Sequence, residues 1–162
     1  KFLFQGLMEY NKQSPKVNWK LSLIGLRREE VKTNLMLMSE SVIKKIDLLE
    51  LVSDKQLAKL YLNADFLLFP SKSEGFGVPL IEAMAANIKI ISSNSSVMPT
   101  VCEDVAYYFS PYKISEFIEV IDTSIKFIAQ PAKSRVHYQK NYCNYRFKEN
   151  FEKIAEQLDG IN

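Results

Sequence analysis

The sequence predicts an α/β fold, a doubly wound parallel sheet with helices on both faces, and three observations carry that expectation. Short apolar runs of strand length alternate with amphipathic helical stretches over about ninety residues, the pattern of βαβ units. At residues 65–86 a strand, a glycine turn and a helix start follow one another without a break. A chain of 162 residues with 47% hydrophobic and 25% charged content can bury one real core, which excludes a disordered or collagenous chain.

The elements follow in order. Residues 2–10 place apolar side chains at helical spacing, and 19–25 read as a strand closed by Gly25. Residues 29–38 fit a helix, 45–49 a short strand, and Ser53-Asp54 can cap a helix over 55–62. Asp65-Phe-Leu-Leu-Phe69 is the next strand, and 79–86 is rich in helix formers with Pro79 near the first helical position. Strands over 89–92 and 105–109 come next, the second ended by Ser110-Pro111. Residues 114–128, 132–142 and 147–158 read as helices, so 1–128 forms the core of a single domain and 129–162 a helical tail. The order opens at Lys1 on a helix, whereas a doubly wound unit normally opens on a buried central strand. A first strand is therefore expected to be missing, and the chain reads as a piece of a longer protein.

Charge and cysteines narrow the class. A net charge of +2, with Lys and Arg spread along the chain, leaves no nucleic-acid footprint. The apolar runs fall far short of the ~20 residues that cross a bilayer, and no signal peptide precedes them, so a cytoplasmic location is expected. Cys102 and Cys143 have no metal-ligand spacing and read as reduced thiols, and His137 reads as an exposed helix residue. No metal site is expected.

The richest segment is Pro70-Ser-Lys-Ser-Glu-Gly-Phe-Gly-Val-Pro-Leu-Ile-Glu-Ala-Met-Ala85. In open α/β sheets, ligands bind in the crevice outside the carboxyl ends of the strands, where this turn falls. Gly75 and Gly77 bracket Phe76, and a backbone without Cβ atoms can bring its N–H groups close to a bulky anion. A helix N-terminus just beyond adds unpaired donors and partial positive charge, which suits a phosphate or diphosphate. Glu74 and Glu82 would repel that anion in direct contact, so they should point past it on either side. An ionised carboxylate accepts two hydrogen bonds from a vicinal diol, and a nucleotide sugar carries hydroxyls at both ends of its diphosphate. The competing view is a bare strand-to-helix connection with Phe76 packed as core.

Phe69-Pro-Ser71, Glu74-Gly-Phe-Gly-Val-Pro79 and Glu82-Ala-Met-Ala85 together resemble the signature of family-4 retaining glycosyltransferases of the two-domain GT-B architecture. The resemblance runs in order and spacing over roughly residues 19–112, including Ser92-Ser-Asn94 with Met98-Pro99, and the tail from Tyr145-Arg-Phe147 is similar to the family's closing helix. It implies a Rossmann-like, donor-binding C-terminal domain whose partner, an N-terminal acceptor-binding domain, lies outside the chain. Glu74 is then the first glutamate of the E-x7-E motif, a catalytic residue at the donor sugar, and Glu82 the second, on the nucleotide ribose. Backbone N–H groups at Gly75, Phe76, Gly77 and Val78 would hold a UDP- or GDP-linked donor without a metal or other cofactor. Lys1 stands where the family's phosphate-binding lysine is expected, and a chain boundary gives the same residue there. Membrane association at the inner face would run through the missing domain. Glu50 departs from the family's usual glycine, near the region expected to meet the base, where it either alters nucleotide preference or faces solvent. A nucleotide-sugar epimerase of the same architecture and a non-catalytic nucleotide-binding domain are the alternatives.

Overall fold

The computed structural model describes residues 1–128; the predicted helices over 132–142 and 147–158, with His137 and Cys143, lie outside the described residues. Seven helices and five strands alternate within them: α1 Phe2–Gln13, β1 Leu21–Ile24, α2 Arg28–Met36, α3 Glu40–Ile43, β2 Ile46–Leu49, α4 Asp54–Asn63, β3 Phe66–Phe69, α5 Val78–Ala85, β4 Lys89–Ser93, α6 Met98–Cys102, β5 Ala106–Phe109 and α7 Ile114–Ile128. Every strand pairing is parallel, as strands joined by helical crossovers require. The α/β fold with parallel sheets flanked by helices is the one the sequence predicts.

The pairings form two sheets, β1-β2 and β3-β4-β5. A cavity of about 680 Å³ lies between β1 and β3, lined by Leu21, Ser22 and Ile24 on one side and Phe66 to Leu68 on the other. Helices flank it through Leu7, Tyr10 and Ile121 on one face and Leu57, Leu60 and Tyr61 on the other, leaving it partly open.

Side chains on alternate strand positions point to opposite faces, and β4 shows the result. Ile91 joins Phe4, Leu7, Tyr10, Phe109 and Phe117 in a core under α1 and α7, while Ile90 joins Leu80, Ala83, Met98 and Cys102 under α5 and α6. All five residues of β4 are buried, making it the central strand of its sheet. Phe117 packs edge-on to Phe109 and Phe2, with ring centroids 5.1 and 5.6 Å apart. Gly6 is what lets α1 approach α7, because a Cβ there would stand 2.5 Å from the Phe117 ring.

Candidate active site

Because the strands are parallel, their carboxyl ends open on one edge, and the loops after β1, β2, β3, β4 and β5 gather there. The turn after β3 is the longest of these, spanning residues 70–77. It ends at Gly77, the N-cap of α5, whose φ of 78° and ψ of 44° lie in the left-handed region. Pro79, in the first turn of α5, has no N–H to satisfy. Leu80 N–H turns back onto the Gly77 carbonyl at 2.9 Å. No side chain caps this terminus, so its remaining N–H donors have no side-chain acceptor.

Gly75 differs from Gly77. A Cβ built on it meets nothing within 4 Å, so internal packing does not require a glycine there. Phe76 is 59% exposed and Val78 53% exposed, which removes the view of Phe76 as a core residue. Leu26, Leu51 and Tyr112 are exposed on neighbouring loops of the same edge, so the rim carries apolar surface as well as backbone donors. Lys72 brings a cation to the turn and stands 4.6 Å above the Tyr112 ring.

Both glutamates are half-buried. Glu82 lies in α5, where Tyr61 of α4 reaches it: the phenol donates to Glu82 Oε2 at 2.9 Å and stands 3.3 Å from the Pro79 carbonyl. Burial first, then the hydrogen bond to Glu82 and its charge, push the Tyr61 phenol well above its ordinary pKa, so it stays a donor throughout the physiological range. Glu74 is held through its backbone. Ser96 Oγ, from the loop after β4, lies 3.3 Å from Glu74 N and 3.1 Å from Glu74 O. Ser93 Oγ donates to the Ser71 carbonyl at the root of the same turn.

The structure therefore joins Glu74, Gly75, Phe76, Gly77, Val78 and Glu82 in one turn and helix start. Lys1 sits exposed at the N-cap of α1, and among the described residues no ion pair ties its side chain to the turn. Glu50 is exposed, and its Oε1 accepts the Arg28 N–H at 3.1 Å, which satisfies the start of α2. Tyr61, Ser93 and Ser96 carry contacts that motif reading did not assign; the Ser92-Ser-Asn-Ser-Ser96 run after a strand was the available signal. Cys102 is buried, with its thiol pushed up to about 11 by desolvation, so it is no nucleophile near neutral pH. Among the described residues no cluster of His, Cys, Asp and Glu could hold a metal ion, and no helix is long and apolar enough to cross a membrane.

The fold is the Rossmann-like α/β fold of a GT-B C-terminal domain. It superposes on the C-terminal domain of a glycosyl transferase group 1 family protein (LpcC) from Francisella tularensis with a TM-score of 0.68 at 20% identity, covering 88% of this chain and 74% of that one. A glycosyltransferase from Rickettsia africae gives a TM-score of 0.66 at 18% identity, over 96% of this chain and 44% of that one. Residues 4–142 match the family described as Glycosyl transferases group 1, and the chain belongs to that family. Among curated relatives, the serotype-specific mannosyltransferase WbdA of Escherichia coli is 34% identical over 92 residues, 57% of this chain and 11% of the relative. The O-antigen chain mannosyltransferase RfbU of Salmonella typhimurium is 43% identical over 67 residues, 41% of this chain and 19% of the relative. The chain thus spans a small part of the length of the curated relatives it matches.

Proposed function

We propose that the chain is the donor-binding part of a retaining, family-4-type hexosyltransferase that moves a sugar from a nucleoside diphosphate to an acceptor hydroxyl. The observation that carries this reading is the uncapped start of α5, with Gly77 at its N-cap and half-buried carboxylates, Glu74 and Glu82, on either side. The diphosphate takes the N–H groups of Phe76, Gly77 and Val78, where the helix dipole stabilises the charge that builds as the bond from sugar C1 to phosphate breaks. No metal is needed for that. The acceptor oxygen forms its bond to C1 on the face the diphosphate leaves, and its proton passes to the departing phosphate oxygen. Glu82, steadied by Tyr61, takes the ribose diol, and Glu74 takes hydroxyls of the transferred sugar.

Two relatives named as mannosyltransferases, one of them for O-antigen chains, make mannose the sugar to test first and surface polysaccharide synthesis the setting. The acceptor site belongs to an N-terminal domain of the whole protein, as does any contact with the inner face of a membrane. Calorimetric titration with GDP and GDP-mannose tests the assigned roles. Glu82→Ala should weaken both ligands about tenfold, the scale of a lost charge-assisted hydrogen bond. Glu74→Ala should leave GDP unchanged and remove the extra affinity that the mannose confers. Equal losses of bare GDP in the two variants would defeat the assignment.

A further inference from the structure

The peptide of Glu74 is fastened by one hydroxyl that sits 22 residues away in sequence. Ser96 Oγ can accept from Glu74 N–H and donate to Glu74 C=O, so the same atom fixes the plane on both sides of the Glu74 Cα. Ser96 does this from a left-handed backbone conformation, φ 54°, that favours glycine and costs a serine of the order of 1 kcal/mol. Its anchor is firm. Ser92 and Ser93 are fully buried at the end of the central strand β4, and Ser93 holds the Ser71 carbonyl three residues before Glu74. The exposed end of this brace, Ser96, would lose its strain on becoming glycine, yet glycine would release Glu74.

We propose that Ser96 is a positioning residue for Glu74: it sets the direction in which that carboxylate leaves the turn and so how the donor's sugar is gripped. The inference rests on the reading of Glu74 as the sugar-binding carboxylate. It separates Ser96 from the nucleotide end of the site, where Glu82 is braced independently by Tyr61.

The test is a double-mutant cycle in the full chain, with GDP and GDP-mannose titrated calorimetrically into wild type, Ser96→Gly, Glu74→Ala and the pair. Ser96→Gly should leave GDP affinity unchanged and lower GDP-mannose affinity about five- to tenfold, the effect of one lost positioning hydrogen bond. In the Glu74→Ala background the same substitution should change nothing further. Ser96→Ala, which keeps a Cβ, should follow Ser96→Gly in the ratio of the two affinities, whatever it does to folding. A parallel drop in both ligands, an unchanged ratio, or an effect that persists without Glu74 would overturn the proposal. If Glu74→Ala itself spares the sugar increment, the donor reading fails and this inference falls with it. If Glu74→Ala removes the increment and Ser96→Gly does not, only the role of Ser96 is lost.

Discussion

The two glycines of the turn have the same neighbour and different physics. At Gly77 an alanine must adopt φ 78°, and its Cβ would stand 3.0 Å from Leu80 Cδ1, a side chain with no exposure. The backbone term alone costs about 1–2 kcal/mol. At Gly75 the same substitution meets open space, so stability should not move. Urea unfolding of Gly77→Ala should therefore show a loss of about 1–2 kcal/mol. Gly75→Ala should unfold like wild type but, on the proposed donor reading, bind GDP more weakly, since its methyl projects into the open space that reading gives to the diphosphate; equal unfolding midpoints for the two variants would contradict this division. The sequence shows the Gly-Phe-Gly pattern but treats its glycines alike, because residue type does not report φ. Nor does it report exposure, and the outward position of Phe76 is what removes that ring from the core.

Element boundaries were legible where chemistry marks them. Ser53 accepts the Gln56 N–H and the Gln56 side chain returns to Ser53 N–H, a capping box that starts α4 where Ser53-Asp54 predicts it. Helices α3 and α6, of four and five residues, were not foreseen, because segments that short show no helical period. The strand expected over 19–25 narrows to Leu21–Ile24, its ends drawn into the loops. The start of α7 carries a titrating clamp: Glu116 accepts Lys113 Nζ at 2.8 Å and the Ser110 N–H at 2.9 Å. Lys113 first, then the Ser110 N–H, hold its carboxyl below the usual range. A depressed native pKa stabilises the fold above the unfolded value, about 4.5, and that contribution is lost as pH falls through the native value. Glu116→Gln should thus melt slightly below wild type at neutral pH, and the two melting curves should converge on acidification. A gap that widened in acid would reverse the sign and refute the clamp.

At the scale of the molecule, parallel direction follows from the alternation of elements, but strand order and the place where the sheet divides do not. Nothing in the composition of 21–24 or 66–69 says that these two strands fail to meet, since both are short apolar runs fit for a buried sheet. The apolar cluster under α1 and α7 nonetheless reaches from Leu23 of β1 to Phe109 of β5, so one core bridges both sheets. Between them β1 and β3 each present an edge of backbone donors and acceptors to the 680 Å³ cavity, and a parallel pair of two strands is marginal alone. A strand parallel to both would convert two sheets into one, in the order β2-β1-new-β3-β4-β5. Hydrogen exchange reads this directly. Amides of β1 and β3 should exchange faster as groups than those of β4, which is paired on both sides and wholly buried. An apolar extended segment of about five residues joined ahead of α1 should slow exchange in β1 and β3 together and raise the melting temperature, while β5, at the far edge, should respond least. Protection of β1 equal to that of β4 without any added segment would mean that the cavity is already closed in solution, and the extra strand would have no place to enter.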